Sequence, residues 1–221
     1  MRPLTIAIDG PSGAGKGTVA RAVAARLGYP HVDTGAMYRA VAWKALQDGV
    51  SLDDEAAMAG LAERSVIEAT DGVVCIDGQD VARAIRTPEI DRAAAATARL
   101  PRVRSALVAR QRALGATGGV VMEGRDVGTV VFPQAHVKIY LDASPEERAR
   151  RRANDPAHSG GQAGSLAIVA SDLAARDSSD RTRAVSPLTI APDAVLVDTT
   201  MLTIDQVVER VMEVAGEAAD R

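Results

Sequence analysis

The residues best suited to chemistry lie near the amino terminus. Gly10-Pro11-Ser12-Gly13-Ala14-Gly15-Lys16-Gly17-Thr18 is a glycine-rich stretch with a lysine close to its end. Glycines let successive backbone N–H groups converge on phosphate oxygens. Lys16 adds a full positive charge, and a helix starting there adds the partial charge of its amino terminus. The chemistry this suits is holding the outer phosphates of a nucleoside triphosphate. The common form of the pattern puts Ser or Thr directly after the lysine, to hold magnesium. Here Gly17 stands in that place and Thr18 follows. A glycine turn before a helix can give the same letters by chance, but an apolar strand before and a helix after are the context the phosphate loop requires.

Four further groups carry charge. Asp33-Thr34-Gly35-Ala36-Met37-Tyr38-Arg39 reads as a capped helix start. Glu123-Gly124-Arg125-Asp126 closes an apolar run. Arg148, Arg150, Arg151 and Arg152 crowd one segment, and Arg176, Asp177, Asp180, Arg181 and Arg183 another. Alone, each has an ordinary reading: a cap, a surface ion pair worth at most ~1 kcal/mol, a solvated face, a salt-bridged turn. After a phosphate loop the same residues gain a purpose. Phosphoryl transfer needs two phosphates held in line, their repulsion neutralised and water excluded. Arginine grips phosphate oxygens in pairs and keeps its charge. A phosphate acceptor is already an anion, so no general base is needed, and no His–carboxylate pairing stands out. Helical spacing turns Arg148, Arg150, Arg151 and Arg152 in different directions, so one or two of them can meet one ligand.

The surrounding pattern alternates strand and helix. Leu4–Ile8, Val120–Met122, Val137–Leu141 and Ala194–Val197 read as buried strands, with a brief one at His31–Val32. Helices are expected after the phosphate loop to Leu27, from Gly35 to Leu46, Asp53 to Glu63, Pro88 to Ala98, Pro101 to Leu114, after the Ser144-Pro145 cap, from Leu166 to Ala175, and after Thr203. Apolar strands between helices predict an α/β three-layer fold with a central parallel sheet. Between Ser51 and Arg99 the texture changes: Val66–Ala69 and Val73–Ile76 around Thr70-Asp71-Gly72 read as a hairpin. This predicts a small antiparallel insert, about 51–99, in a single domain whose core is about 1–50 and 100–221. Asn154–Ser165, rich in Gly, Ser and Ala, reads as a mobile segment.

Composition narrows the function. The chain has 221 residues, 2% aromatic, with a net charge of −3, which gives neither a general attraction to nucleic acid nor stacking platforms for single strands. The lone cysteine, Cys75, makes no internal disulfide and is expected as a small buried residue of a strand. His31, His136 and His158 show no metal-ligand spacing. The first apolar run is short and ends at Asp9, unlike a signal peptide. No run approaches the ~20 apolar residues that span a bilayer. The expected protein is a cytoplasmic monomer acting on small molecules, away from membrane and nucleic acid.

Lys16-Gly17-Thr18 after a strand and DTGAMYR on the next helix resemble the nucleoside monophosphate kinases. IRTPE, PRVRSALVARQR, EGRDVGTVVFP, VKIYLDAS and RAVSPL resemble the bacterial-type cytidylate kinases closely, and the similarity spans nearly the whole chain, weakest at about 153–170. The resemblance implies a P-loop kinase that uses ATP with Mg2+ to phosphorylate CMP and dCMP. It implies that residues 10–18 and the arginines at 148 and 152, under a lid of about 148–165, bind ATP. It places Thr34 near the acceptor base, Arg39, Arg125 and Arg183 at the acceptor phosphate, Asp126 at cytosine, and Arg176 and Asp180 at the sugar. Lys16, Arg125, Asp126 and Arg183 are the expected catalytic set, with Arg104 donating to the acceptor atoms of cytosine. The family pattern has a serine where Ala95 stands, so base selectivity is either weaker here or passes to Thr97. Two rivals remain: a kinase for another small acceptor such as UMP, and a nucleotide switch. A GTP switch should carry a guanine-reading Asn-Lys-x-Asp segment, which this chain lacks.

Overall fold

A computed structural model describes residues 3–155 and 165–220. Strand β1 (Thr5–Asp9) is buried along its length, as a strand covered on both faces must be. It leads through the glycine loop into helix α1 (Lys16–Leu27), which Gly28 stops in the left-handed conformation. Strand β2 (His31–Asp33) runs straight into α2 (Thr34–Gln47), whose first turn is capped by the Asp33 carboxylate accepting from the Ala36 N–H. Helix α3 (Glu55–Arg64) is capped by Asp54. Strands β3 (Ile67–Thr70), β4 (Val73–Ile76) and β5 (Gln79–Asp80) follow, then α4 (Pro88–Thr97) and α5 (Pro101–Leu114), each with proline in its first turn. The remaining order is β6 (Val120–Gly124), a π-helical turn (Val127–Val131), β7 (Val137–Asp142), α6 (Pro145–Ala153), α7 (Leu166–Thr182), β8 (Val195–Asp198) and α8 (Ile204–Ala219).

One sheet holds every described strand, in the order β5-β4-β3-β2-β6-β1-β7-β8. The run from β2 to β8 is parallel, with β1 between β6 and β7. Its two faces are read off alternate residues. Ile6, Ile8, Val121, Ile139 and Leu141 pack with Val19 and Val23 of α1 and Val207, Val208 and Val211 of α8. Ala7, Val32, Val120 and Met122 face the other way, against Val108 of α5 and Val127 and Val131 of the π turn. A third cluster joins α2, α3, α4 and α5 over Ala69, Val74 and Ile76 of the antiparallel strands.

Several expectations change. The antiparallel strands continue the main sheet, because β3 pairs with β2 through Val32 and Thr70. Cys75 is half-buried: Val74 and Ile76 take the inward positions, so the residue between them faces outward. Helix α7 runs on to Thr182, past the expected end at Ala175. Its apolar periodicity stops after Leu173 because the later buried positions, Asp177 and Asp180, are charged. Most of the segment expected to be mobile, and with it much of the expected lid, lies outside the described residues.

Candidate active site

Parallel strands bring their carboxyl ends to one edge, which is where ligands bind in open α/β sheets. The phosphate loop follows β1, Asp33 ends β2 and Thr34 follows it, and Arg125 and Asp126 follow β6. These segments border one cavity of about 700 Å³, within the usual range for small-molecule sites. Gly10 shows how tightly the loop is held: its φ is 147°, and an added Cβ would stand 2.0 Å from the Leu141 carbonyl oxygen. Gly17 also has a steric role. A Cβ there would meet a carboxylate oxygen of Glu123 at 2.9 Å, so glycine is what lets Glu123 approach the start of α1.

Lys16 is buried, and its Nζ donates to the Pro11 carbonyl at 2.7 Å, folded back over its own loop. Burial, together with the nearby Arg125 charge, lowers its pKa to about 7, with Glu123 opposing. Asp9, just behind the cavity wall, is one residue that the sequence reading passed over. Its carboxylate accepts from the Val127 N–H at 2.9 Å and the Gly128 N–H at 2.7 Å, fixing the π turn that follows Arg125 and Asp126. Burial raises its pKa to about 6 against those two hydrogen bonds. The available signal was an acidic residue closing a wholly apolar strand immediately before the phosphate loop.

The arginines arrive in the cavity already paired. Arg39 donates to Asp33 at 3.0 Å, and Arg125 to Asp180 at 2.8 Å. Arg104 donates to Asp126 and lies over the Tyr38 ring at 5.3 Å from its centre. Arg183 lies 3.6 Å from Asp126 and 3.5 Å from Asp180. Although burial opposes it, Arg125, Arg176 and Arg183 hold the Asp180 carboxyl below the ordinary range. The guanidiniums outnumber these carboxylates, and Arg39 Nε, Arg104 Nε and Arg183 Nη2 are buried without a hydrogen-bond partner among the described residues. Buried donors of this kind are costly unless something accepts from them, and an anionic ligand in the cavity would do so. Thr34 lines the same wall, its hydroxyl donating to the Glu123 carbonyl at 2.7 Å.

Within the dense run on α6 the structure distinguishes the arginines. Arg148 lies outside the cavity lining: it donates to the Ala143 and Ser12 carbonyls at 3.1 Å each and to Asp177, bracing the loop from behind. Arg150, Arg151 and Arg152 border the cavity. Arg151, absent from the expected pair, is fixed by the Thr199 hydroxyl at 2.9 Å and the Thr199 carbonyl at 2.6 Å. Thr199 in turn donates to the Ala14 carbonyl at 3.3 Å, so the segment after β8 adjoins the phosphate loop. From that segment and α8, Leu202, Ile204 and Val207 add an apolar wall that sequence patterning assigned only to helix packing. Thr97 is no substitute for the serine expected at Ala95. Its hydroxyl donates to the Ala93 carbonyl at 2.9 Å inside its own helix, and Thr97 does not line the cavity, whereas Ala95 does. Gly10 and Pro11 lie behind the lining that Ser12–Thr18 provide.

Comparison with known proteins agrees with this arrangement. A gluconokinase structure from Sinorhizobium meliloti 1021 shares the fold, with a TM-score of 0.51 at 16% identity over 99% of this chain and 95% of that one. A cytidylate kinase from Solibacter usitatus is 49% identical across 97% of this chain and 93% of its own length. One from Desulfitobacterium hafniense is 49% identical across 98% and 94%. The family profile described as cytidylate kinase matches residues 6–217. With the phosphate loop, the arginine-lined cavity and this similarity over nearly its full length, the chain belongs to the cytidylate kinase family.

Proposed function

We propose that this protein transfers the terminal phosphoryl group of ATP to cytidylate and deoxycytidylate. The observation that carries the reading is a single cavity with the Lys16 phosphate loop and the buried Arg104–Asp126 pair on its walls and guanidiniums around both. The ATP phosphates would lie on the backbone N–H groups of the loop, with Lys16 turning from the Pro11 carbonyl to the transferred group. The adenine would rest on Leu202, Ile204 and Val207, beside Arg151. Arg39, Arg125 and Arg183 would hold the acceptor phosphate, and Arg176 and Asp180 its sugar. Transfer then needs only the two phosphates in line and their charge balanced.

The acceptor base follows from the pair at 104 and 126. Cytosine offers an amino donor where uracil offers a carbonyl. The Asp126 carboxylate accepts from the first and repels the second, while Arg104 donates to the remaining acceptors of the ring. Thr34 borders the same region.

Magnesium accompanies ATP in such reactions. Its preference for oxygen, with one or two carboxylates plus substrate phosphates, fits the Thr18 hydroxyl and the Glu123 carboxylate, both on the cavity wall. When bound it neutralises phosphate charge. No described helix is long and apolar enough to cross a membrane, and we place the protein in the cytoplasm as a monomer serving pyrimidine nucleotide supply.

The test is ADP release from ATP with and without CMP. Release that depends on CMP and matches CDP formed supports the reading. Slow hydrolysis indifferent to CMP would point to a switch instead.

A further inference from the structure

Asp91 is the acidic residue whose position the reaction leaves unexplained. It stands in the first turn of α4, where a carboxylate ordinarily serves the helix amino terminus for about 0.3–1 kcal/mol. Here it does something further. Its two oxygens accept from guanidiniums of two other elements: Arg152 Nη2 from α6, and Arg176 Nη1 from α7 at 2.9 Å. Its side chain is 14% exposed. Both arginines line the cavity, but Asp91 does not, so it stands behind them. Burial lowers the pKa of Arg152 to about 10, with Arg176 and Arg39 adding to the shift, and lowers that of Arg176, with Arg125 and Arg39 adding to it; Asp91 is the strongest opposing charge for both. A guanidinium carries five donors in a planar fork. Giving one edge to Asp91 leaves the others for a ligand.

We propose that Asp91 is a positioning residue for phosphoryl transfer: one carboxylate on α4 that aims Arg152 at the ATP phosphates and Arg176 at the acceptor's sugar, and so keeps donor and acceptor aligned. Helix α4 also brings Ala94, Ala95 and Ala98 to the cavity wall. The contact therefore ties that wall to arginines of α6 and α7. This role rests on the phosphotransfer reading above.

The test compares wild type, Asp91→Asn and Asp91→Glu with ATP and CMP. Asp91→Asn should lower kcat by about tenfold to a hundredfold, since small misplacement of positioning groups is costly. The KM and Kd for CMP alone should change by less than about threefold, the split expected when an interaction acts in the transition state. Affinity for CMP together with magnesium, ADP and aluminium fluoride, a mimic of the phosphoryl group in flight, should fall in step with kcat. Asp91→Glu, which keeps the charge, should recover part of both, and it carries the same comparison if the asparagine variant does not fold. An Asp91→Asn kcat within about twofold of wild type would overturn the proposal. So would parallel losses of kcat, CMP affinity and thermal stability, which would make Asp91 part of α4 packing. A wild type that fails to phosphorylate CMP would remove the functional reading and this role together.

Discussion

At the scale of single residues, burial sets the behaviour of Lys16. Without ligand its pKa is lowered to about 7. Nucleotide phosphates beside it favour the charged form, so binding ATP above neutral pH should take up a proton. The sign follows directly: at pH 8 the free lysine is largely neutral and the bound one charged. Calorimetry at pH 8 in two buffers of different ionisation enthalpy should show net uptake in wild type and much less in Lys16→Ala. The same variant should lose about 2.7–4 kcal/mol of transition-state stabilisation while staying folded. Asp126 makes a second residue-scale prediction. Asp126→Ala should lower kcat/KM for cytidylate far more than for uridylate, erasing a discrimination of about 1–3 kcal/mol. Equal losses would make Asp126 structural. Lys16 and Asp126 were both legible because each ends a recognisable pattern. That Arg148 stands behind the cavity and Arg151 on its wall was not legible, because one-letter spacing shows that arginines diverge around a helix without showing which way each one faces.

At the scale of elements, the site depends on how β1 and β6 end. Asp9 at the end of β1 holds the π turn after β6, and this turn directly follows Arg125 and Asp126. Asp9→Ala would leave two buried N–H groups without an acceptor, at about 1–3 kcal/mol for each. The variant should melt at lower temperature and lose kcat beyond its loss of stability, because Arg125 and Asp126 would no longer be fixed. A thermal midpoint equal to wild type would contradict this role. Sequence patterning could not have found the π turn, since Val127–Val131 reads as an apolar run that fits a strand or a helix equally. The caps were legible: Thr203 starts α8 as expected, in a reciprocal box with Gln206, and Ser144 caps α6 by accepting from the Glu147 N–H. Helix α7 was cut short because periodicity follows apolar residues, while its last turns bury Asp177 and Asp180 against arginines.

At the scale of the molecule, a single sheet carries both ends of the site. The parallel core was visible in its apolar strands, and the hairpin in its turn residues. What the sequence could not show was that β3 joins the hairpin to β2 in one continuous sheet, because strand partners are not written in local pattern. Cytidylate bound alone should therefore slow hydrogen exchange in residues 66–97, and unchanged exchange there would make the insert a structural extension. The central claim is phosphoryl transfer to a cytosine nucleotide, read by a buried carboxylate and guanidinium. It is tested most directly by following ADP release from ATP with CMP, dCMP, UMP, AMP and GMP offered in turn. The account predicts that CMP and dCMP are the best acceptors, UMP is poor, and AMP and GMP are inactive. A preference for AMP, or equal use of CMP and UMP, would contradict it.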